Sequence, residues 1–151
     1  MLELCAPDIY RIPIPLPKSP LKYTNCYVLL GNPPLVVDTG FARPECREAL
    51  LHGLAALGLQ PGDCRLFLTH FHADHAGLAG LFSQQGSPVY LSAADAALAA
   101  GSEGGGPKGG LAHYARAGMP EQELSQLEQS HPGYHFAGRE PVSYTLSLIH
   151  I

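Results

Sequence analysis

Between Thr69 and His75 the chain reads Thr-His-Phe-His-Ala-Asp-His, which puts His70, His72, Asp74 and His75 within six positions. Imidazole nitrogens and carboxylate oxygens are the usual ligands of zinc. Three neutral histidines with one aspartate leave much of a dication's charge uncompensated. A cation held that way polarises an electrophile and acidifies water, so the chemistry on offer is metal-assisted hydrolysis. His70 and His72 stand two apart at a strand end, so their side chains project to the same side. Asp74 and His75 fall in the turn that follows, free to aim at a second cation beside the first. The bland alternative is a polar loop with incidental histidines. Four ligand-type residues in six positions argue against it.

Several elements must hold this segment in place. Arg65–Thr69 reads as a short strand ending directly at His70, and the small apolar stretch Ala76–Phe82 as a helix beginning just after His75. Upstream, Asn25–Leu30 and Leu35–Asp38 read as strands joined through the turn chemistry of Gly31-Asn-Pro-Pro34. This hairpin feeds the Asp38-Thr39-Gly40 loop. Ile12, Ile14 and Leu16 alternate with Pro13, Pro15 and Pro17, which suits an edge or extended segment better than a central strand. From Pro44 to Leu57 the pattern is helical, with Cys46, Leu50, Leu54 and Leu57 on one face and Gly58 as a stop. Pro88–Leu91 is another strand, and Ser92 with Asp95 makes a capping-box signature before the alanine-rich run to Ala100. The alternation of strand and helix argues an α/β architecture. Residues 101–110, with six glycines, predict a flexible loop and lack the residue order of a phosphate loop. Leu111–Ala117 and Pro120–Gln129 read as two short helices, and Tyr134–Tyr144 is weakly strand-like.

Two segments together carry a likeness: Val36-Val-Asp-Thr-Gly40 and, one helix later, Phe67-Leu-Thr-His-Phe-His-Ala-Asp-His-Ala-Gly77. In this order and at this separation they resemble the metallo-β-lactamase superfamily of metal-dependent hydrolases, in its glyoxalase II-like branch. The resemblance implies an α/β (α+β) fold, the first αβ half of a four-layer αββα sandwich, with a helical insertion near 111–129. It implies two zinc ions, His70 and His72 binding one and Asp74 and His75 its neighbour. Asp74 would be the catalytic carboxylate, orienting the bridging hydroxide. Asp38 would lie just outside the ligands with its carboxylate near them; the other reading of Asp38 is a loop aspartate capping local backbone. The superfamily's iron-binding flavoprotein branch has glutamate where His72 stands, so the chain looks like the zinc hydrolases. Ester or thioester hydrolysis is the implied reaction, with a nuclease of the same fold or a non-catalytic metal-binding fragment as alternatives. His113 and Tyr114, with Met119, Tyr134 and His135, are candidates to line the insertion, against plain helix or loop packing.

The likeness is incomplete. The family's third histidine, normally in a G-H-[ST]-P-G segment, is absent, and His131-Pro-Gly133 lacks the preceding strand and glycine. The later aspartate and final histidine are missing too. Residues 1–145 are therefore expected to be the amino-terminal part of one such domain. Leu146-Ser-Leu-Ile-His-Ile151 resembles the translation of CTG TCT CTT ATA CAC ATC, a transposon end used in preparing sequencing libraries, so 146–151 is expected to be a non-native tail. Without a second half, strands around Val28, Leu35, Val37, Leu66 and Leu68 should leave one apolar sheet face uncovered. The isolated chain is then expected to be partly unfolded or self-associated, and inactive.

Composition narrows the partners. The chain has 151 residues, 46% hydrophobic, with 9 Lys and Arg against 13 Asp and Glu for a net charge of -4. The basic residues do not cluster, which argues against nucleic acid; a small-molecule substrate is what the resemblance implies. No apolar run reaches about 18 residues, so no membrane partner is expected. Met1–Cys5 has neither the basic nor the apolar region of a secretory signal, and a cytoplasmic location is expected. Cys5, Cys26, Cys46 and Cys64 form no C-x-x-C pair and read as four small buried hydrophobes.

Overall fold

The computed structural model describes residues 2–17, 19–99, 107–130 and 142–147. Alternating apolar residues set Ile9–Pro15 (β2) and Tyr23–Leu29 (β3) into an antiparallel pair, with Glu3–Ala6 (β1) outside β2 and Leu35–Val37 (β4) beyond β3. Arg65–Phe67 (β5), Val89–Ser92 (β6) and Thr145–Ser147 (β7) then add in parallel, so one seven-stranded sheet runs in chain order. Parallel neighbours need crossovers. The helix Pro44–Ala56 (α1) makes the first, and the single turns Ala73–Ala76 (α2) and Gly80–Ser83 (α3) lie in the second. Ala93–Ala99 (α4), Pro107–Arg116 (α5) and Glu121–Ser130 (α6) follow β6. None of the helices among the described residues is long and apolar enough to cross a membrane.

The expected hairpin of β3 and β4 and the helix from Pro44 are both present. Cys46, Leu50 and Leu54 of α1 are buried as the periodicity required, and the Gly58 amide closes the helix on Ala55 O at 2.9 Å. Helix α1 lies close on β2 because position 53 is glycine. A Cβ there would stand 2.6 Å from Ile12.

The strands around Val28, Leu35, Val37, Leu66 and Leu68 lie in one sheet, as expected, and the apolar residues divide between its two faces. Val28, Val36, Leu66 and Val89 are in register across four strands, all fully buried in the core with α1. Leu68 continues that face beyond β5. Leu35 and Val37 belong to the opposite face, with Tyr27, Phe67 and Tyr90. The period of two along each strand requires this split. That second face is half-buried rather than bare. Its large side chains stand opposite one another across the ladder and shield each other.

Other elements also depart from expectation. Strand β2 lies between β1 and β3, not at an edge, yet β1 pairs with it only as far as Arg11. Pro13 and Pro15 stand beyond that point, where the strand has one neighbour and a proline nitrogen facing the open side forgoes no ladder bond. The expected helix Ala76–Phe82 is two separate turns. The first starts earlier because His72 O accepts the amides of His75 and Ala76 at 3.0 and 2.8 Å. Its continuation is interrupted because the Leu78 amide donates to Thr39 Oγ1 at 3.2 Å. Asp74 and His75 consequently sit inside a helical turn. Residues 107–110 are the first turn of α5 rather than loop, started by Pro107; residues 101–106 lie outside the described ones. Cys26, Cys46 and Cys64 are buried, but Cys5, on the outermost strand, is exposed.

Candidate functional site

Because β4 and β5 are parallel, with Val37 opposite Phe67, the chain leaves the sheet from both strands at the same end. Open α/β sheets bind ligands outside the carboxyl ends of such strands. Asp38 turns there with φ +60°, a left-handed conformation that aspartate tolerates better than most residues. The turn aims its carboxylate at the motif loop. Oδ1 accepts the Thr69 amide at 2.8 Å, and Oδ2 accepts the Thr69 hydroxyl at 2.7 Å and His75 Nδ1–H at 2.9 Å. Thr39 fastens the same two segments: its amide and hydroxyl donate to His75 O at 2.7 and 2.6 Å.

These bonds fix the ring hydrogens. An ionised carboxylate only accepts, so His75 Nδ1 carries a hydrogen and, in the neutral ring, Nε2 is bare. The Thr69 hydroxyl gives its one proton to Asp38, so at 3.0 Å its oxygen accepts from His70 Nδ1–H. His70 Nε2 is then bare as well, and His72 Nδ1–H donates to it at 3.1 Å. The rings of His70 and His72 are 4.6 Å apart and those of His70 and His75 4.2 Å. Asp74 Oδ2 stands 3.5 Å from His75 Nε2.

Charge follows from the same contacts. Burial alone would raise the Asp38 carboxyl, but hydrogen bonds from His75 and Thr69 outweigh it and hold the group below the usual carboxylate range. Burial likewise opposes a charged His75, yet the Asp38 hydrogen bond and the Asp74 carboxylate raise it above the ordinary histidine value. His70 is lowered, first by burial and then by His75 and His72.

The four donors form two adjoining pairs. Among the described residues no three His, Cys, Asp or Glu side chains make a ready cage for an ion. Two ligands on one tetrahedral zinc are separated by roughly 3.3–3.5 Å, given bond lengths of about 2.0–2.2 Å. His70 Nε2 to His72 Nδ1, at 3.1 Å, and Asp74 Oδ2 to His75 Nε2, at 3.5 Å, are close to that edge. His70 Nε2 and His75 Nε2 carry no hydrogen as they stand, and His72 would move its hydrogen from Nδ1 to Nε2 on ligating; the donor chemistry then fits zinc, with two ligands per ion.

Asp38 does more than cap local backbone, since it reaches His75 across 37 positions. His113 and Tyr114 lie on α5, exposed, and their ring contact is with each other at 6.0 Å; among the described residues nothing links them to the histidine cluster. Met119 is half-buried just beyond α5, while His131, Tyr134, His135 and His150 lie outside the described residues. Sequence reasoning missed Thr39 and Thr69. It also took Asp95 for a helix cap alone, although Asp95 Oδ1 accepts the Phe71 amide at 3.3 Å. The signal for Thr69 was its place beside the first histidine; for the other two only the fold reveals the partner.

Comparison with known proteins agrees with this geometry. A family model, the metallo-beta-lactamase superfamily, matches residues 20–142. Metallo-beta-lactamase domain-containing protein 1 of Rattus norvegicus is 52% identical over 52 residues, which are 34% of this chain and 20% of that one. "Probable metallo-hydrolase YqjP" of Bacillus subtilis (strain 168) is 34% identical over 79 residues, 52% of this chain and 24% of that one. A crystal structure of a metallo-beta-lactamase family protein from Thermus thermophilus superposes with a TM-score of 0.65 at 32% identity, covering 92% of this chain and 46% of that one. The chain thus spans less than half the length of each of these relatives. The family match takes in Asp38 and the whole of Thr69–His75, the residues on which the site is built, and so the chain belongs to the metallo-beta-lactamase superfamily.

Proposed function

We propose that this chain carries the first half of the two-zinc centre of a hydrolase acting on small ester or thioester substrates. The observation behind it is the pair of donor distances, with His70 and His75 each holding its metal-facing nitrogen bare. His70 and His72 would hold one ion and Asp74 and His75 the other. When bound, zinc would acidify a water and polarise the substrate carbonyl. Asp38 keeps His75 in the ligating tautomer, and through Thr69 it does the same for His70. Asp74, its side chain 34% exposed, is the catalytic residue of this reading. Its carboxylate accepts a hydrogen bond from the attacking water and turns a lone pair toward the carbonyl carbon. The net charge of -4 disfavours the nuclease reading.

A catalytic zinc takes three protein ligands and an open position. The described residues offer two donors per ion, which favours the second reading for the chain by itself: a weak metal binder without turnover, completed by donors outside these residues. Zinc titration against a chelating dye, with ester and thioester assays on this chain and on a protein of its relatives' length, separates the two. Weak binding abolished by His70→Ala with His72→Ala, and turnover only in the longer protein, is the expected result. Binding indifferent to those substitutions would overturn the assignment of the site.

A further inference from the structure

The loop bearing His70 and His72 is held from two sides. Asp38 grips Thr69 from the β4 side. On the other side stands Asp95, at the start of α4, brought there because β6 runs parallel to β5 and ends at the same edge of the sheet. Its Oδ1 accepts the Phe71 amide at 3.3 Å, and its Oδ2 accepts the Ser92 hydroxyl at 2.6 Å. Ser92 Oγ in turn accepts the Asp95 amide at 3.1 Å. Capping α4 requires only the exchange between Ser92 and Asp95. The bond to Phe71 is additional, and it falls on the first of the two peptide units between the two histidines.

We infer that Asp95 is a positioning residue: by anchoring the Phe71 amide it sets the spacing of His70 Nε2 and His72 Nδ1, and so the affinity and geometry of the ion that pair holds. This rests on the zinc reading above. Thr69 alone fixes where the loop begins, but His72, three residues on, can still swing with the peptide units at Phe71. A second anchor removes that freedom, and ligand supports of this kind are worth about 10–100-fold in metal affinity.

The test compares Asp95→Ala, Asp95→Asn and Ser92→Ala by titration with zinc and with cobalt(II), whose visible spectrum reports ligand geometry. Asp95→Ala is expected to weaken zinc binding about tenfold and to alter the cobalt spectrum. Asp95→Asn keeps an oxygen for the Phe71 amide and should restore both. Ser92→Ala removes the cap, lowering the melting temperature while leaving affinity within about twofold. Unchanged affinity in Asp95→Ala, or an equal loss in Ser92→Ala, would overturn the inference. If Asp95→Ala does not fold, amide exchange in the metal-free wild type decides: the Phe71 amide should be protected, and exchange at the rate of an unstructured chain would refute the anchor. A wild type that binds no zinc, with Phe71 protected, would remove the zinc reading and leave the anchor standing.

Discussion

Replacing Asp38 with asparagine changes one atom and should rearrange hydrogens at two ligands. In the native site Oδ2 accepts from both Thr69 Oγ1 and His75 Nδ1. An amide nitrogen in that place donates instead. His75 must then accept at Nδ1 and carry its hydrogen on Nε2, the atom facing Asp74. Thr69, now accepting from the amide, is free to donate to His70 Nδ1, which moves that hydrogen to Nε2 too. The fold has little reason to object. Three charge-assisted bonds of about 1.5–3 kcal/mol become neutral bonds of about 0.5–1.5 kcal/mol, while a buried charge and its desolvation cost disappear. We expect these to cancel within about 2 kcal/mol, so melting shifts by no more than about 6 °C.

Metal binding responds differently. Returning each histidine to its ligating tautomer leaves two buried donors facing each other, at about 1–3 kcal/mol. Zinc affinity should therefore fall about 10–100-fold, as for other partners of metal-bound histidines. The pH profile adds a second signature. His75 lies above the ordinary histidine value because Asp38 bonds its charged form against the opposing effect of burial, so protons compete with zinc as pH falls through that raised value. Without the carboxylate, burial remains, the His75 pKa falls, and the onset of proton competition moves to lower pH even as the plateau affinity drops. Chelator competition across pH measures both, and nitrogen NMR of the metal-free protein reads the tautomers directly. Wild-type affinity in Asp38→Asn, or His75 still protonated at Nδ1 when neutral, would refute the reasoning.

Two glycines give further checks. Gly53→Ala gains up to about 1 kcal/mol of helix propensity but forces a methyl to within 2.6–2.7 Å of three Ile12 atoms. Overpacking costs about 1–3 kcal/mol, so the net expectation is a melting temperature lowered by a few degrees; a rise would mean that α1 slides freely on β2. Gly77→Ala should be worse, because its Cβ would meet the backbone at Ala73 O, Ala42 N and Gly40 O at 2.5–2.6 Å. Backbone cannot rotate away as a side chain can. The expected outcome is loss of soluble protein or of zinc binding, and a variant matching wild type in both would contradict the close docking of α2 on the Gly40 loop.

The sequence revealed most where a local pattern and the tertiary structure agree. The face of α1 was readable from Cys46, Leu50 and Leu54 because a helix repeats its burial every three to four residues. Three-residue strands such as β4 and β5 carry too little alternation to show which of Leu35, Val36 and Val37 faces the helix. Only their register decides. Residues 107–110 read as loop because glycine disfavours helices by about 1 kcal/mol each, and what holds that turn is its continuation into α5. The candidate cluster was legible because its residues are neighbours in sequence. Asp38 was found only through its resemblance to a family motif, and the contacts of Thr39 and Asp95 lie 39 and 24 positions away, where no local pattern reaches.

One buried carboxylate therefore sets the tautomer of one histidine in each donor pair. From Asp38 the bonds run outward in one direction: Thr69 donates to Asp38, His70 to Thr69, and His72 to His70, with His75 on a separate branch. Each neutral ring that donates through Nδ1 keeps Nε2 without a hydrogen, so the Nε2 atoms of His70 and His75 carry none before any cation arrives. Such an arrangement needs an acceptor that never donates, buried enough to exclude water and short enough to reach Thr69 and His75 together. Asparagine fails the first requirement, and glutamate, one methylene longer, would crowd the Thr69 amide that now sits 2.8 Å away. The left-handed turn at position 38 gives aspartate that aim. A strained residue at the carboxyl end of a short strand is thus the point from which the geometry of the candidate site is set.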